Sequence, residues 1–193
     1  MNFPEDFPVL TTPRLVLRAT APQDVEGVFS MESDPVAMRY WSRPPMQDIA
    51  EAHAAVERAM TFFPARVGIR WAITRAGDDR LIGHVSVFGF HEPSDRGEIG
   101  YGLLRARWGQ GLMHEALIAV VDYAFGPLGL RRLEADIHPG NLASLRSVER
   151  LGFAREGFLR ERWQVGDEIS DSVLLGLLAR EWRERRAAET TAS

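Results

Sequence analysis

One stretch of the chain, Gly100-Tyr-Gly-Leu-Leu-Arg-Ala-Arg-Trp-Gly-Gln-Gly-Leu-Met-His-Glu-Ala116, has the residue types and spacing to hold a phosphate. An alternating segment runs into a glycine-containing turn, and the turn opens a long helix with one apolar face. The first N–H groups of a helix have no internal partners, and the aligned peptide dipoles favour an anion ahead of them. Gly109 and Gly111 remove Cβ atoms where a pyrophosphate would approach. The stretch meets only one of the glycine spacings of the dinucleotide pattern GxGxxG, and it lacks the Gly-Lys-Ser/Thr of a P-loop. A tight turn that merely needs two glycines accounts for the same residues, and the turn by itself does not choose between the two.

Composition narrows the rest of the chemistry. Cys is absent, which excludes disulfides, thiolate metal sites and a Cys nucleophile. His53, His84, His91, His114 and His138 show no metal-like spacing, so no metal is expected. All 23 basic residues are Arg, so lysine-based catalysis is impossible and every cationic contact is a guanidinium that can fork onto an anion. With a formal net charge of −4 and no basic stripe, nucleic acid is not expected as a partner. No apolar run is long enough to span a membrane, and the N-terminal MNFPEDFPVL is not a secretory signal. The expected location is cytoplasmic.

The elements that must position these residues read clearly in places. The 193 residues suffice for one domain with its own core, expected over 1–193. Strands are expected over 14–18, 70–74, 81–90, 98–104, 133–137, 153–165 and 169–177, with a hairpin turn at Ala76-Gly-Asp-Asp79. Helices are expected over 22–30, 49–63 and 142–151, and the charged tail 179–186 begins as one. The clearest helix carries Leu112, Met113, Ala116, Leu117, Val120, Val121, Ala124 and Phe125, one face repeated for more than three turns. Asn141 and Gly152 bracket the 142–151 helix as N-cap and C-terminal glycine. This order implies an α/β fold, a mixed sheet with helices packed on it.

Taken in order, six segments resemble the GNAT superfamily of N-acetyltransferases, and within it the RimJ/RimL-like group that acetylates protein N-termini. They are Leu10-Thr-Thr-Pro-Arg-Leu-Val-Leu-Arg18, Gly97-Glu-Ile-Gly-Tyr-Gly-Leu-Leu104, Trp108-Gly-Gln-Gly-Leu-Met-His-Glu-Ala116, His138-Pro-Gly-Asn-Leu-Ala-Ser144, Leu151-Gly-Phe153 and Leu178-Ala-Arg-Glu-Trp182. The resemblance implies a GNAT fold, a twisted central sheet of about six to seven strands splayed into a V. It implies acetyl-CoA as acyl donor, with no metal. The backbone of Tyr101, Gly102 and Leu103 would pair with the pantetheine arm. The amides of Gly109, Gln110, Gly111, Leu112, Met113 and His114 would hold the pyrophosphate, and Asn141 would contact the cofactor from the far side of the V. Trp108 and Met113 stand where the general superfamily signature has Gln or Arg and Gly or Ala, a variant that RimJ/RimL-like members tolerate.

A thioester arrives activated, so the protein must present a neutral amine, stabilise an oxyanion and protonate a thiolate. The family pattern Asn-x-x-Ser places Ser144 at the CoA sulfur; the alternative is that Asn141 caps its helix and Ser144 only satisfies the first turn. Glu98, on the strand beside the pantetheine track, is the expected base or else a solvated carboxylate. Glu115 sits in the first turn of the long helix and is assigned to structure. Some relatives place a base after Leu-Gly-Phe; here the matching place is near Trp163, with Glu161 the nearest carboxylate. Tyr40 and Trp41, in the Pro-stiffened loop Arg39-Tyr-Trp-Ser-Arg-Pro-Pro45, are expected to line the acceptor pocket or to plug the loop. Asp171 could bind the acceptor's ammonium or belong to a turn.

The expected activity is acetyl transfer to a primary amine in a ternary complex, with a protein N-terminal α-amine as acceptor. An N-terminal amine, with a pKa of about 8, needs less help to lose its proton than a lysine near 10.4. A small amine (amino acid, polyamine or antibiotic) is the alternative acceptor, and a non-catalytic acyl-CoA sensor the alternative outside enzymes. Monomer and homodimer both fit; the segment Phe158 to Trp163 could be a dimer surface or lie over the core.

Overall fold

The computed structural model describes residues 1–191. Its eight strands are β1 (Leu10–Thr11), β2 (Leu15–Ala19), β3 (Gly68–Arg75), β4 (Asp78–His91), β5 (Arg96–Leu103), β6 (Arg132–Ile137), β7 (Ala154–Val165) and β8 (Glu168–Leu178). They form one sheet in the order β1-β2-β3-β4-β5-β6-β8-β7. Seven match the expected segments. The eighth, β1, has two residues, too few to show any alternation in the sequence.

Every neighbouring pair is antiparallel except β5 and β6. That parallel register runs Arg96↔Arg132, Gly97↔Leu133 and Glu98↔Glu134, and then stops. Beyond it β5 continues to Leu103 and β6 to Ile137, so the two strands separate into a V. From Ile99 onward β5 is bonded only to β4, and its other edge is open. The β4–β5 ladder slips between Phe88 and His91, where Gly89 takes a left-handed φ of 62°.

Helices cover both faces of the sheet: α1 (Val25–Glu32), α2 (Pro35–Met38), α3 (Ile49–Phe62), α4 (Leu112–Phe125), α5 (Leu142–Leu151) and α6 (Ala179–Thr191). The larger core joins Leu15, Leu17, Ile69, Trp71, Ile73, Val85, Val87 and Ile99 of the sheet to the buried faces of α4 and α5 and to Trp182 of α6. Strand alternation puts the intervening residues, among them Ala72, on the opposite face. There α1 and α3 build a smaller core through Val25, Val28, Ala52 and Val56. A capping box starts α3: the Asp48 carboxylate accepts from Ala50 N (2.9 Å), and Glu51 accepts from Asp48 N (3.2 Å). Cap geometry also fixes α5. Asn141 Oδ1 accepts from Ser144 N at 3.1 Å, and Gly152 closes the helix with a φ of 100°.

Among the described residues no helix is long and apolar enough to cross a membrane.

Candidate active site

Between the sheet and the α2–α3 connection lies a cleft of about 890 Å³. Its floor is the face of the sheet that α1 and α3 leave uncovered, carrying Arg70 of β3, His84 and Ser86 of β4, Glu98 and Gly100 of β5, and Asp136 of β6. The cleft opens toward the V, where Tyr101, Asn141 and Ser144 line it.

At that opening Tyr101 Oη lies 2.7 Å from Ser144 Oγ, and it also donates to the Ser144 carbonyl at 3.1 Å. The strand that loses its β6 partner thus touches the start of α5 through two hydroxyls. When Tyr101 donates to Ser144 Oγ, the Ser144 proton is free for a group in the cleft. Burial, partly offset by the Ser144 contact, pushes the Tyr101 hydroxyl up to about 12, so it stays protonated at neutral pH. Sequence reasoning gave Tyr101 a main-chain role alone; its hydroxyl gives no signal in spacing because Ser144 is 43 residues away.

The glycine turn has a different local cause from the one its spacing suggests. Gly109 and Gly111 both have φ of 73°. A Cβ at Gly109 would meet nothing within 4 Å, and one at Gly111 only Arg14 Nη2 at 3.5 Å. Left-handed backbone therefore requires these glycines, and the space before α4 is open. Gly111 is the N-cap of α4 and makes no side-chain cap, so the helix start keeps its donors for an external acceptor. A clamp holds the turn in place. Arg14 Nη1 donates to the Gln110 carbonyl (3.0 Å), while Glu115 accepts from Thr12 Oγ1 (2.6 Å) and from Arg14 N (2.9 Å). Burial pushes the Glu115 carboxyl up, but its bonds to Thr12 and Arg14 outweigh that and hold it below the usual range. His114 Nδ1 is buried without a partner among the described residues, and burial followed by Arg150 and Arg185 lowers its pKa, which favours the neutral ring.

Glu98 is half-buried beside the β4 bulge, its carboxylate near Gly89. Burial first, then Asp136 and Glu134, push its pKa above the ordinary value. Asp136, which the sequence reading did not single out, is already engaged: it accepts from Ser172 Oγ, Trp163 Nε1 (3.2 Å) and Arg162 Nε (3.3 Å). The freer carboxylate is Glu98. Asp171 is not among the residues that line the cleft; its carboxylate accepts from Glu161 N at 2.8 Å. Glu161 sits in the β7 bulge with φ of 52°, also away from the lining.

Tyr40 and Trp41 form the roof and reach opposite sides of the V. Tyr40 packs on His138 with ring centroids 4.8 Å apart and the rings tilted by 32°, at the entrance to α5. Trp41 lies edge-on to His84 at 5.5 Å and covers Gly102, where a Cβ would come within 2.8 Å of its ring. Both are partly exposed and line the cleft while packing against its walls.

Residues 14–154 match the acetyltransferase (GNAT) domain family. Over 168 residues the chain is 35% identical to YoaA of Bacillus subtilis (strain 168), an uncharacterised N-acetyltransferase, covering 86% of this chain and 95% of that one. A shorter match, 32% over 88 residues and 46% of this chain, covers 45% of the [ribosomal protein uS5]-alanine N-acetyltransferase of Escherichia coli (strain K12). Among solved structures, the spermidine N-acetyltransferase of Vibrio cholerae, in complex with CoA and spermine, superposes with a TM-score of 0.77 at 20% identity, covering 89% of this chain and 99% of that one. The mixed sheet that opens between two parallel strands, the helix that starts at an uncapped glycine turn, and the family match agree: this chain belongs to the GNAT family, as an acyl-CoA-dependent N-acetyltransferase that takes acetyl-CoA as its acyl donor.

Proposed function

We propose that the chain acetylates the N-terminal α-amine of a peptide or protein by direct attack in a ternary complex. The observation that carries this reading is the convergence of Ser144, Tyr101 and Glu98 on one cleft, at the point where β5 and β6 part. The open edge of Tyr101, Gly102 and Leu103 suits the pantetheine amides. The amides of Gly109 to His114 suit the pyrophosphate, and Asn141, which lines the cleft at the start of α5, suits a contact with the cofactor from that side. Acetyl-CoA supplies an activated thioester. Ser144 Oγ holds a proton for the departing sulfur, and Tyr101 Oη can replace it. Glu98, with its raised pKa, draws the proton from the amine through water. Its poise lies nearer neutrality than an ordinary carboxylate, as a base requires.

The acceptor choice rests on two features. The site has a single modest base, which suits an amine of pKa about 8 better than one near 10.4. The cleft is lined by Arg39, Arg43, Arg58 and Arg70, a poor surface for a polycation such as a polyamine. The uS5-alanine relative supports the same choice. The test is thiol release from acetyl-CoA with short peptides of free and blocked N-termini, set against spermidine and Nα-blocked lysine. Turnover confined to free α-amines supports the reading; turnover of spermidine alone overturns it.

A further inference from the structure

Acetyl transfer uses only one end of the cleft. By register, Arg70 of β3 lies beside Ser86 of β4, and Ser86 lies beside Gly100 of β5. Arg70 is thus two strand spacings from the transfer point, roughly 10 Å across the backbone. Arg43 and Arg58 line the same wall. One carboxylate answers them: Glu32, fully buried, meets Arg43 Nη2 at 2.6 Å and Arg70 Nη2 at 3.5 Å. Two of the three guanidinium groups therefore share one carboxylate, and Arg58 pairs with none among the described residues.

A second observation falls on the same wall. His84, 4% exposed, lines the cleft two residues along β4 from Ser86, and its Nδ1 has no partner among the described residues. A buried polar atom without a partner is costly unless something in the cleft reaches it. Burial, with Arg70 and Arg43 adding to it, keeps this imidazole neutral, so it offers a hydrogen bond rather than another charge. The opposite end of the cleft carries Glu98, Asp136 and Glu168. The cavity is bipolar, with carboxylates where the amine is presented and guanidinium groups about two strands away.

We propose that the preferred acceptor carries a carboxylate in the same molecule as its amine, seated among Arg43, Arg58 and Arg70 and within reach of His84. A planar carboxylate matches the guanidinium fork and supplies the missing counter-charge. With Arg70 two strands from the transfer point, an acidic side chain near a peptide N-terminus, or an ω-amino acid of similar length, fits better than the adjoining α-carboxylate of a free amino acid. The inference builds on the acceptor reading above and names its substrate class.

The test compares Ala-Glu-Ala amide with Ala-Gln-Ala amide, which differ only in the charge, and adds 6-aminohexanoate as the small-molecule arm. Each is measured for kcat/KM at saturating acetyl-CoA, and for binding to the CoA complex by calorimetry. The Glu peptide is expected to exceed the Gln peptide by about tenfold or more in both measurements. Arg58→Gln, an exposed position on α3, is expected to cut that ratio severalfold. The double variant Arg70→Gln with Glu32→Gln, which leaves no buried carboxylate unpaired, is expected to bring it toward one. Preference for 6-aminohexanoate over both peptides keeps the carboxylate site and moves the acceptor to a small molecule. Stronger binding of the Glu peptide without its acetylation keeps the site and overturns the acceptor reading. Equal kcat/KM for the two peptides, or no binding of either, overturns the inference, whatever other amines are acetylated.

Discussion

Along the β5–β6 mouth, the groups that hold the pantetheine arm and the pyrophosphate in our proposal are, apart from Asn141, main-chain atoms. They are set by a parallel register that ends at Glu98 and by two left-handed glycines. Along the β3–β4 wall, the groups proposed to face the acceptor are side chains: Arg43 and Trp41 from a loop, Arg58 from α3, Arg70 from β3 and His84 from β4. A backbone-built arm tolerates most side-chain changes and fails when the chain path changes. A side-chain-built arm keeps its path and changes its preference with single substitutions. One fold can thus hold a common donor and vary its acceptor. Each arm then makes its own experimental prediction.

The largest effect is expected where the arms meet. Ser144→Ala should slow turnover about 10²-fold or more while leaving acetyl-CoA affinity nearly unchanged. The helix start survives, because Asn141 Oδ1 bonds the Ser144 amide rather than its hydroxyl. Steady-state kinetics with direct CoA titration separate the two effects. A loss of affinity with turnover intact would return Ser144 to a packing role.

Glu98→Gln comes next, with turnover lower by about tenfold or more. In the wild type, kcat/KM should fall as pH drops through the raised Glu98 pKa, and the variant should lose that limb. The stability effect has the opposite sign. A folded-state pKa above the ordinary carboxylate value of 4.5 means the native chain binds this proton more tightly than the unfolded one. Stability from that proton is present below 4.5 and is lost as pH rises through the folded value. The variant should therefore be more stable than wild type near pH 7, and the gain should vanish in acid. Urea denaturation at the two pH values tests it; a variant less stable at pH 7 would show that the carboxylate is held by partners rather than strained by burial.

The contrast between the arms also governs what the sequence could show. The α4 stripe and the caps of α5 were legible because their causes are local: a 3.6-residue period, an Asn and a Gly at fixed offsets. The turn at Gly109 and Gly111 was legible as a turn, and its φ of 73° explains those glycines without any ligand. The wall was not legible. Glu32, Arg43 and Arg70 gather from a helix, a loop and a strand, and none has a periodic or motif signature. Asp136 was hidden in an alternating strand, since only the β7–β8 hairpin reveals that three donors converge on it. Asp171 was offered for the acceptor because it is acidic and near the last strands, whereas its hydrogen bond serves the β7 bulge.

Gly111 lets the backbone arm be probed without breaking it. A branched residue there would confuse two causes, since φ of 73° strains it whatever lies ahead. Gly111→Asn avoids much of that strain, because Asn tolerates the left-handed region. The variant should lose less than about 1 kcal/mol of stability. Acetyl-CoA affinity should still fall severalfold, since the new side chain enters the open space before α4. Unchanged affinity in a stable variant would mean that the pyrophosphate does not use this space.

The smallest effect belongs to Asp171. Its carboxylate accepts from Glu161 N across the bulge that lets β7 turn over β8. Asp171→Ala should cost about 1 kcal/mol, the scale of one hydrogen bond. Because Asp171 stays off the cleft lining, kcat should hold, and KM for the acceptor should move less than twofold. A large rise in acceptor KM with normal stability would bring Asp171 into the acceptor arm and extend the side-chain-built wall from β3 to β8. Preserved kinetics with a lowered unfolding midpoint would leave the β7–β8 hairpin as scaffold. Its contribution to the cleft would then be that of lining residues such as Glu168 and of Trp163, whose indole N–H holds Asp136 in place beside Glu98.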